Sequence, residues 1–120
     1  MRLKNILICV KDIEASKRFY KELFGLSVIL DGDCNVMLTE GLVLQEKSTW
    51  EQELNQKVIF ESHTTELYFE ENNMDEFVEK VKQYIPKIKI VTPYEELEWG
   101  QKILRLYDLD GNLIEVRSRI

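Results

Sequence analysis

Short runs in which apolar and polar positions alternate open and close the chain, and two stretches between them place apolar residues every three to four positions. Over residues 3–10, Ile6, Ile8 and Val10 fall on one face of an extended strand and Asn5, Leu7 and Cys9 on the other. The first face is wholly apolar and β-branched, which predicts a helix lying against it. That helix follows at once: Asp12 is a good N-cap, Ile13, Ser16, Phe19, Tyr20, Leu23 and Phe24 recur at helical spacing, and Gly25 ends the run. Residues 26–30, 35–39 and 42–45 then read as three short strands joined by turns at Asp31-Gly32-Asp33 and Glu40-Gly41.

Ser48 with Glu51 forms a capping-box pattern, which predicts a short helix to about Asn55. Val58-Ile59-Phe60 reads either as an extra edge strand or as a packed arm of a linker. The order of elements then repeats. Residues 65–70 alternate as a strand, and Asn73 with Glu76 caps a helix whose stripe is Met74, Phe77, Val78, Val81, Tyr84 and Ile85 before Pro86. Residues 87–91, a loop containing Pro93, residues 102–107 and residues 113–117 complete the second half. Asp110-Gly111 between the last two runs marks a tight hairpin, whose final strand turns Ile114 and Val116 one way and Leu113, Glu115 and Arg117 the other.

A βαβββ unit repeated at about sixty-residue spacing narrows the fold class from generic α+β to two like modules in a single domain over residues 1–120. The predicted boundaries are 1–47, a linker over 48–63, and 64–120.

Charge and cysteine content remove some function classes. A formal charge of −6 argues against nucleic acid, whose phosphates need a basic stripe. It is compatible with a cationic ligand or with solubility alone. Lys11 and Asp12 stop the first apolar run too early for a signal peptide or a membrane span, so a cytoplasmic protein is expected. Cys9 and Cys34 lack C-x-x-C spacing and are expected to be free thiols. Asp108-x-Asp110-Gly111 is not an EF-hand fragment, because Leu106 and Arg117 would occupy its first and last ligand positions. Walker, dinucleotide and G-x-S-x-G patterns are missing.

Four fragments stand in order over nearly the whole chain: Val10-x-Asp12-Ile13 with Phe19-Tyr20; Leu23-x-Gly25-Leu26; Trp99-Gly100; and Asp108-x-Asp110-Gly111-Asn112-x-Ile114-Glu115. In these the sequence resembles the vicinal oxygen chelate superfamily, which contains glyoxalase I, extradiol dioxygenases, fosfomycin-resistance proteins and bleomycin-binding proteins. The resemblance implies two βαβββ modules forming a cup-shaped mixed sheet, a small molecule inside the cup, and a homodimer. Carried over position by position, the superfamily's metal-ligand sites fall on Asn5, on Leu44 or Gln45, on Glu66 and on Glu115. Glu115 matches, Gln45 is the polar choice at the second site, and histidine is expected where Asn5 and Glu66 stand.

Oxygen donors of this kind suit hard cations rather than zinc. The expected function is therefore binding of a small organic molecule without a catalytic metal or other cofactor. The alternative is a divalent-metal-dependent lyase or dioxygenase, with the ion on Asn5, Gln45, Glu66 and Glu115. Expected ligand-binding residues are Asn5, Glu66, Tyr68, Trp99, Arg105, Tyr107 and Glu115. For Glu66 and Glu115 a structural reading stands beside the functional one, because Arg105 and Arg117 share their strand parity. Tyr68 either stacks on a flat ligand or packs. Trp50 and Trp99 wall a pocket, flank a dimer interface or join the core. His63, the sole histidine, is expected in a solvated loop.

Overall fold

The computed structural model describes residues 1–120 and divides into two compact units, Met1–Ile59 and Phe60–Ile120. The first contains β1 (Ile6–Val10), α1 (Ile13–Phe24), β2 (Val28–Asp31), β3 (Asn35–Leu38), a 3₁₀ turn (Thr39–Gly41), β4 (Leu42–Glu46) and α2 (Lys47–Leu54). The second contains β5 (Glu66–Glu70), α3 (Met74–Lys82), β6 (Ile90–Glu96), β7 (Lys102–Tyr107) and β8 (Leu113–Arg117). Each unit is a four-stranded mixed sheet with the same plan, ordered β1-β4-β3-β2 in the first and β5-β8-β7-β6 in the second. In both, the first and last strands pair in parallel and the remaining pairs are antiparallel. No helix is long and apolar enough to cross a membrane.

The caps of α1 are those the sequence predicts. The Asp12 carboxylate accepts from the Ala15 amide at 3.0 Å, and Gly25 takes φ 68°, a left-handed conformation that costs a residue without Cβ little. Ile13, Ser16, Phe19, Tyr20 and Leu23 form its buried stripe, and β4 is among the strands it meets. Val36, Leu38 and Leu44 lie fully buried on the sheet. Each such side chain contributes roughly 1.5–3 kcal/mol of burial. Ile6, expected under the helix, is exposed at the first position of β1, and only Val10 of that face is fully buried. In the second unit Met74, Phe77, Val81, Leu104, Leu106, Ile114 and Val116 supply the core. The parity predicted for the last strand is therefore the observed one.

Two elements differ from expectation, and a third loses one of its two readings. The cap of α2 is Glu46, whose carboxylate accepts from the Ser48 amide and hydroxyl; Glu51 instead accepts from the Val58 amide at 2.8 Å. Residues 58–60 pair with no strand. Pro93, assigned to a loop, lies inside β6. That strand is the outer one of its sheet and its register slips on either side of Thr92, so a residue without an amide proton breaks no ladder.

Candidate functional site

The hairpin that closes the second sheet is fixed by Asp108. Its Oδ1 accepts from the amides of Asp110 and Asn112 at 2.9 and 2.8 Å, and its Oδ2 accepts from the Asn112 side chain at 2.9 Å. Gly111 takes φ 85°, and a Cβ there would run into the Glu61 side chain. The turn sets the register: Arg105 stands opposite Glu115, and Tyr107 opposite Leu113. On the other side of β8, Tyr68 pairs with Glu115 and Glu66 with Leu113. Register partners share a face, so one polar row runs Tyr68, Glu115, Arg105 and Thr92 across four strands.

Glu115 is the centre of this row. It is 6% exposed, and each carboxylate oxygen is held by a different guanidinium. Arg105 Nε donates to Oε1 at 2.5 Å, and Arg117 Nε donates to Oε2 at 2.8 Å. Both arginines are held from a second side, Arg105 Nη1 donating to Thr92 Oγ1 at 3.2 Å and Arg117 Nη1 to Gln101 Oε1 at 3.1 Å. Gln101 is buried, donates to the Ser118 carbonyl at 2.9 Å, and accepts from the Trp99 indole at 3.0 Å.

Of the residues predicted for a ligand site, Glu115, Arg105 and Tyr68 stand together in one row of the second sheet, with Tyr107 and Glu66 on the same face in the next row. Glu66 is exposed and forms no ion pair. Tyr107 lies with its hydroxyl 3.4 Å from His63 Nδ1, so the histidine meets a ring rather than solvent alone. Trp99 is 62% exposed and outside the core, touching the network only through Gln101. Trp50 is half-buried on α2.

Asn5 and Gln45 belong to the first unit. Asn5 is half-buried just ahead of β1, where its Oδ1 would stand 3.9 Å from a Cβ on Gly41. The register Cys9↔Gln45 and Ile8↔Leu44 puts Gln45 on the Leu7 and Cys9 face, and Leu44 on the fully buried face. The Gln45 amide is already engaged at both ends, accepting from Asn35 Nδ2 at 2.5 Å and donating to Thr49 Oγ1 at 2.7 Å.

The donor chemistry does not fit a divalent ion at Glu115. A dication there would sit beside two guanidiniums, and even a unit charge pair about 4 Å apart repels by about 4 kcal/mol at an effective dielectric constant near 20. Neither unit groups three His, Cys, Asp or Glu side chains so that they could hold a metal. The residues that sequence reasoning left out of the site are Arg117, Thr92, Gln101 and Ser118. Strand parity pointed to Arg117, while nothing in the pattern marked Gln101, which lies just before β7.

Against known proteins, residues 3–120 match the model of the glyoxalase-like domain. No curated protein matches the chain. A protein of unknown function from Agrobacterium tumefaciens is 29% identical, with a TM-score of 0.84 over 100% of this chain and 95% of that one. A glyoxalase-related enzyme from Fulvimarina pelagi shares 18% identity and a TM-score of 0.81, over 98% of this chain and 88% of that one. The fosfomycin resistance protein FosX from Listeria monocytogenes shares 17% identity and a TM-score of 0.76, over 100% and 94%. At such identities the last two speak for the fold alone. With the repeated four-stranded plan and a family match over almost its full length, the chain belongs to the glyoxalase-like domain family of the vicinal oxygen chelate superfamily.

Proposed function

We propose that the protein binds a small organic molecule on the polar face of its second sheet, without a catalytic metal ion. One observation carries this reading: the carboxylate at the position where the superfamily resemblance puts a metal ligand has both oxygens committed to guanidiniums. A carboxylate so held is a poor first ligand, because an incoming cation must displace two charge-assisted hydrogen bonds as well as its own water. Tyr68, 55% exposed beside Glu115, offers a flat apolar surface to whatever binds there.

Protein purified without chelator is expected to carry no stoichiometric metal and to show no thermal shift with Mn²⁺, Mg²⁺, Ni²⁺ or Zn²⁺. A library of small organic compounds is expected to raise its melting temperature by mass action. Stoichiometric metal, together with metal-dependent turnover on a panel of glyoxalase and dioxygenase substrates, would overturn the proposal in favour of the lyase or dioxygenase reading.

A further inference from the structure

We infer that the ligand of this face carries an oxyanion, a carboxylate or a phosphonate, which docks on the Nη2 amino groups of Arg105 and Arg117. The inference rests on the small-molecule reading above and takes the opposite sign to the cationic ligand with which the acidic composition is compatible.

The argument begins with a donor count. Each guanidinium has three nitrogens. Arg105 spends Nε on Glu115 and Nη1 on Thr92; Arg117 spends Nε on Glu115 and Nη1 on Gln101. Nη2 of each has no acceptor. Every buried side-chain nitrogen and oxygen in the protein has a hydrogen-bond partner, so these two amino groups reach accessible space. Both side chains are nevertheless mostly covered, at 31% and 21% exposed. Immobilised guanidinium donors at the edge of a covered network are pre-organised for a planar or tetrahedral oxyanion.

Charge points the same way. Two guanidiniums around one carboxylate leave one positive charge in excess. The protein's −6 is spread over the whole chain and is screened beyond about 8 Å at physiological ionic strength, whereas the amino groups act at contact distance. Of the other acids on this face, Glu70 stands beside Arg117 in the register but pairs with Arg119 at 3.2 Å, Glu95 lies in that row beyond Ile103, and Glu66 stands in the row on the far side of Glu115, across β8 from Tyr107. Tyr68, directly beside Glu115, makes no hydrogen bond through its hydroxyl and supplies an apolar wall. An apolar or aromatic body with an anionic head matches both features.

Four probes of like size separate the possibilities: benzoate, phenylphosphonate, benzylamine and benzyl alcohol, titrated by calorimetry into the whole protein at physiological ionic strength. Benzoate or phenylphosphonate is expected to bind, and to bind at least tenfold more tightly than the other two. Arg105→Lys and Arg117→Lys keep a cation for Glu115 but remove Nη2, and each is expected to weaken the anion about tenfold in protein that circular dichroism shows to be folded at the titration temperature. Benzylamine or benzyl alcohol binding as tightly as the anions, or lysine variants that keep full affinity, would overturn the anion assignment and leave the small-molecule reading standing. If none of the four binds, the anion assignment falls; if the wider library also yields nothing, the reading beneath it falls too.

Discussion

Replacing Glu115 by Gln removes the charge at the centre of the second sheet and leaves its shape. In the parent, the carboxylate accepts one charge-assisted bond from each of two arginines, at 2.5 and 2.8 Å, from a side chain only 7% exposed. Such bonds contribute about 1.5–3 kcal/mol each, and the glutamine oxygen retains one neutral-acceptor bond. The amide nitrogen must then face the other guanidinium, donor against donor. The partial exposure of the arginines lets water relieve part of that cost, so the expected loss is about 2–4 kcal/mol. With an m-value near 2 kcal/mol/M, the urea midpoint falls by about 1–2 M.

Each unit has its own tryptophan, so Trp50→Phe and Trp99→Phe backgrounds report the second and first units separately. The transition followed through Trp99 is expected to move. A second variant decides the cause: converting the triad together, Glu115→Leu with Arg105→Met and Arg117→Leu, is expected to recover most of the loss, since apolar replacement of a whole buried ion cluster is often neutral. A Glu115→Gln midpoint within about 0.25 M of the parent, about 0.5 kcal/mol and thus an ordinary surface change, would refute the reasoning.

Asp108→Ala removes three accepted hydrogen bonds from the β7–β8 turn, and a loss of about 2–4 kcal/mol with faster hydrogen exchange at the Asn112 amide is expected. Gly25→Ala forces a Cβ into a left-handed backbone at φ 68°, and urea unfolding is expected to show a cost of about 1–2 kcal/mol. The hydrogen bond from Lys17, with that from the Asp33 amide, holds the Asp31 carboxyl below its ordinary 3.8. Stability from this group is therefore present above 3.8 and is lost as pH falls through the lower folded value. An NMR titration of the Asp31 side-chain carbon is expected to give a midpoint below 3.8, and Asp31→Asn to flatten the acid limb of the stability profile.

Local chemistry made much of the fold legible. Asp12, Gly25 and Asn73 sit at helix ends as their side chains dictate, and Gly111 sits where the hairpin needs positive φ. Pro93 was not legible, because whether a strand tolerates proline depends on its place in the sheet, which is a tertiary fact. The capping pattern at Ser48 misled for a related reason: Glu46, one residue before the helix, competes for the same amide, and Glu51 is drawn to Val58. Around the candidate site, parity and the hairpin turn were enough to place Arg105 opposite Glu115. They could not say that Thr92 and Gln101 would hold the guanidiniums from their outer sides, since those contacts come from a bulged edge strand and a turn.

The parallel pairing of first and last strands in each sheet has a practical consequence for handling the chain. Every rung of the first ladder lies before residue 47 and every rung of the second after residue 65, so a protease cut or an inserted reporter near residue 57 severs none of them. Lengthening that stretch adds only a logarithmic closure cost. Two polypeptides expressed from separate messages would each inherit a complete four-stranded sheet, which makes this position the natural one for a split version of the protein.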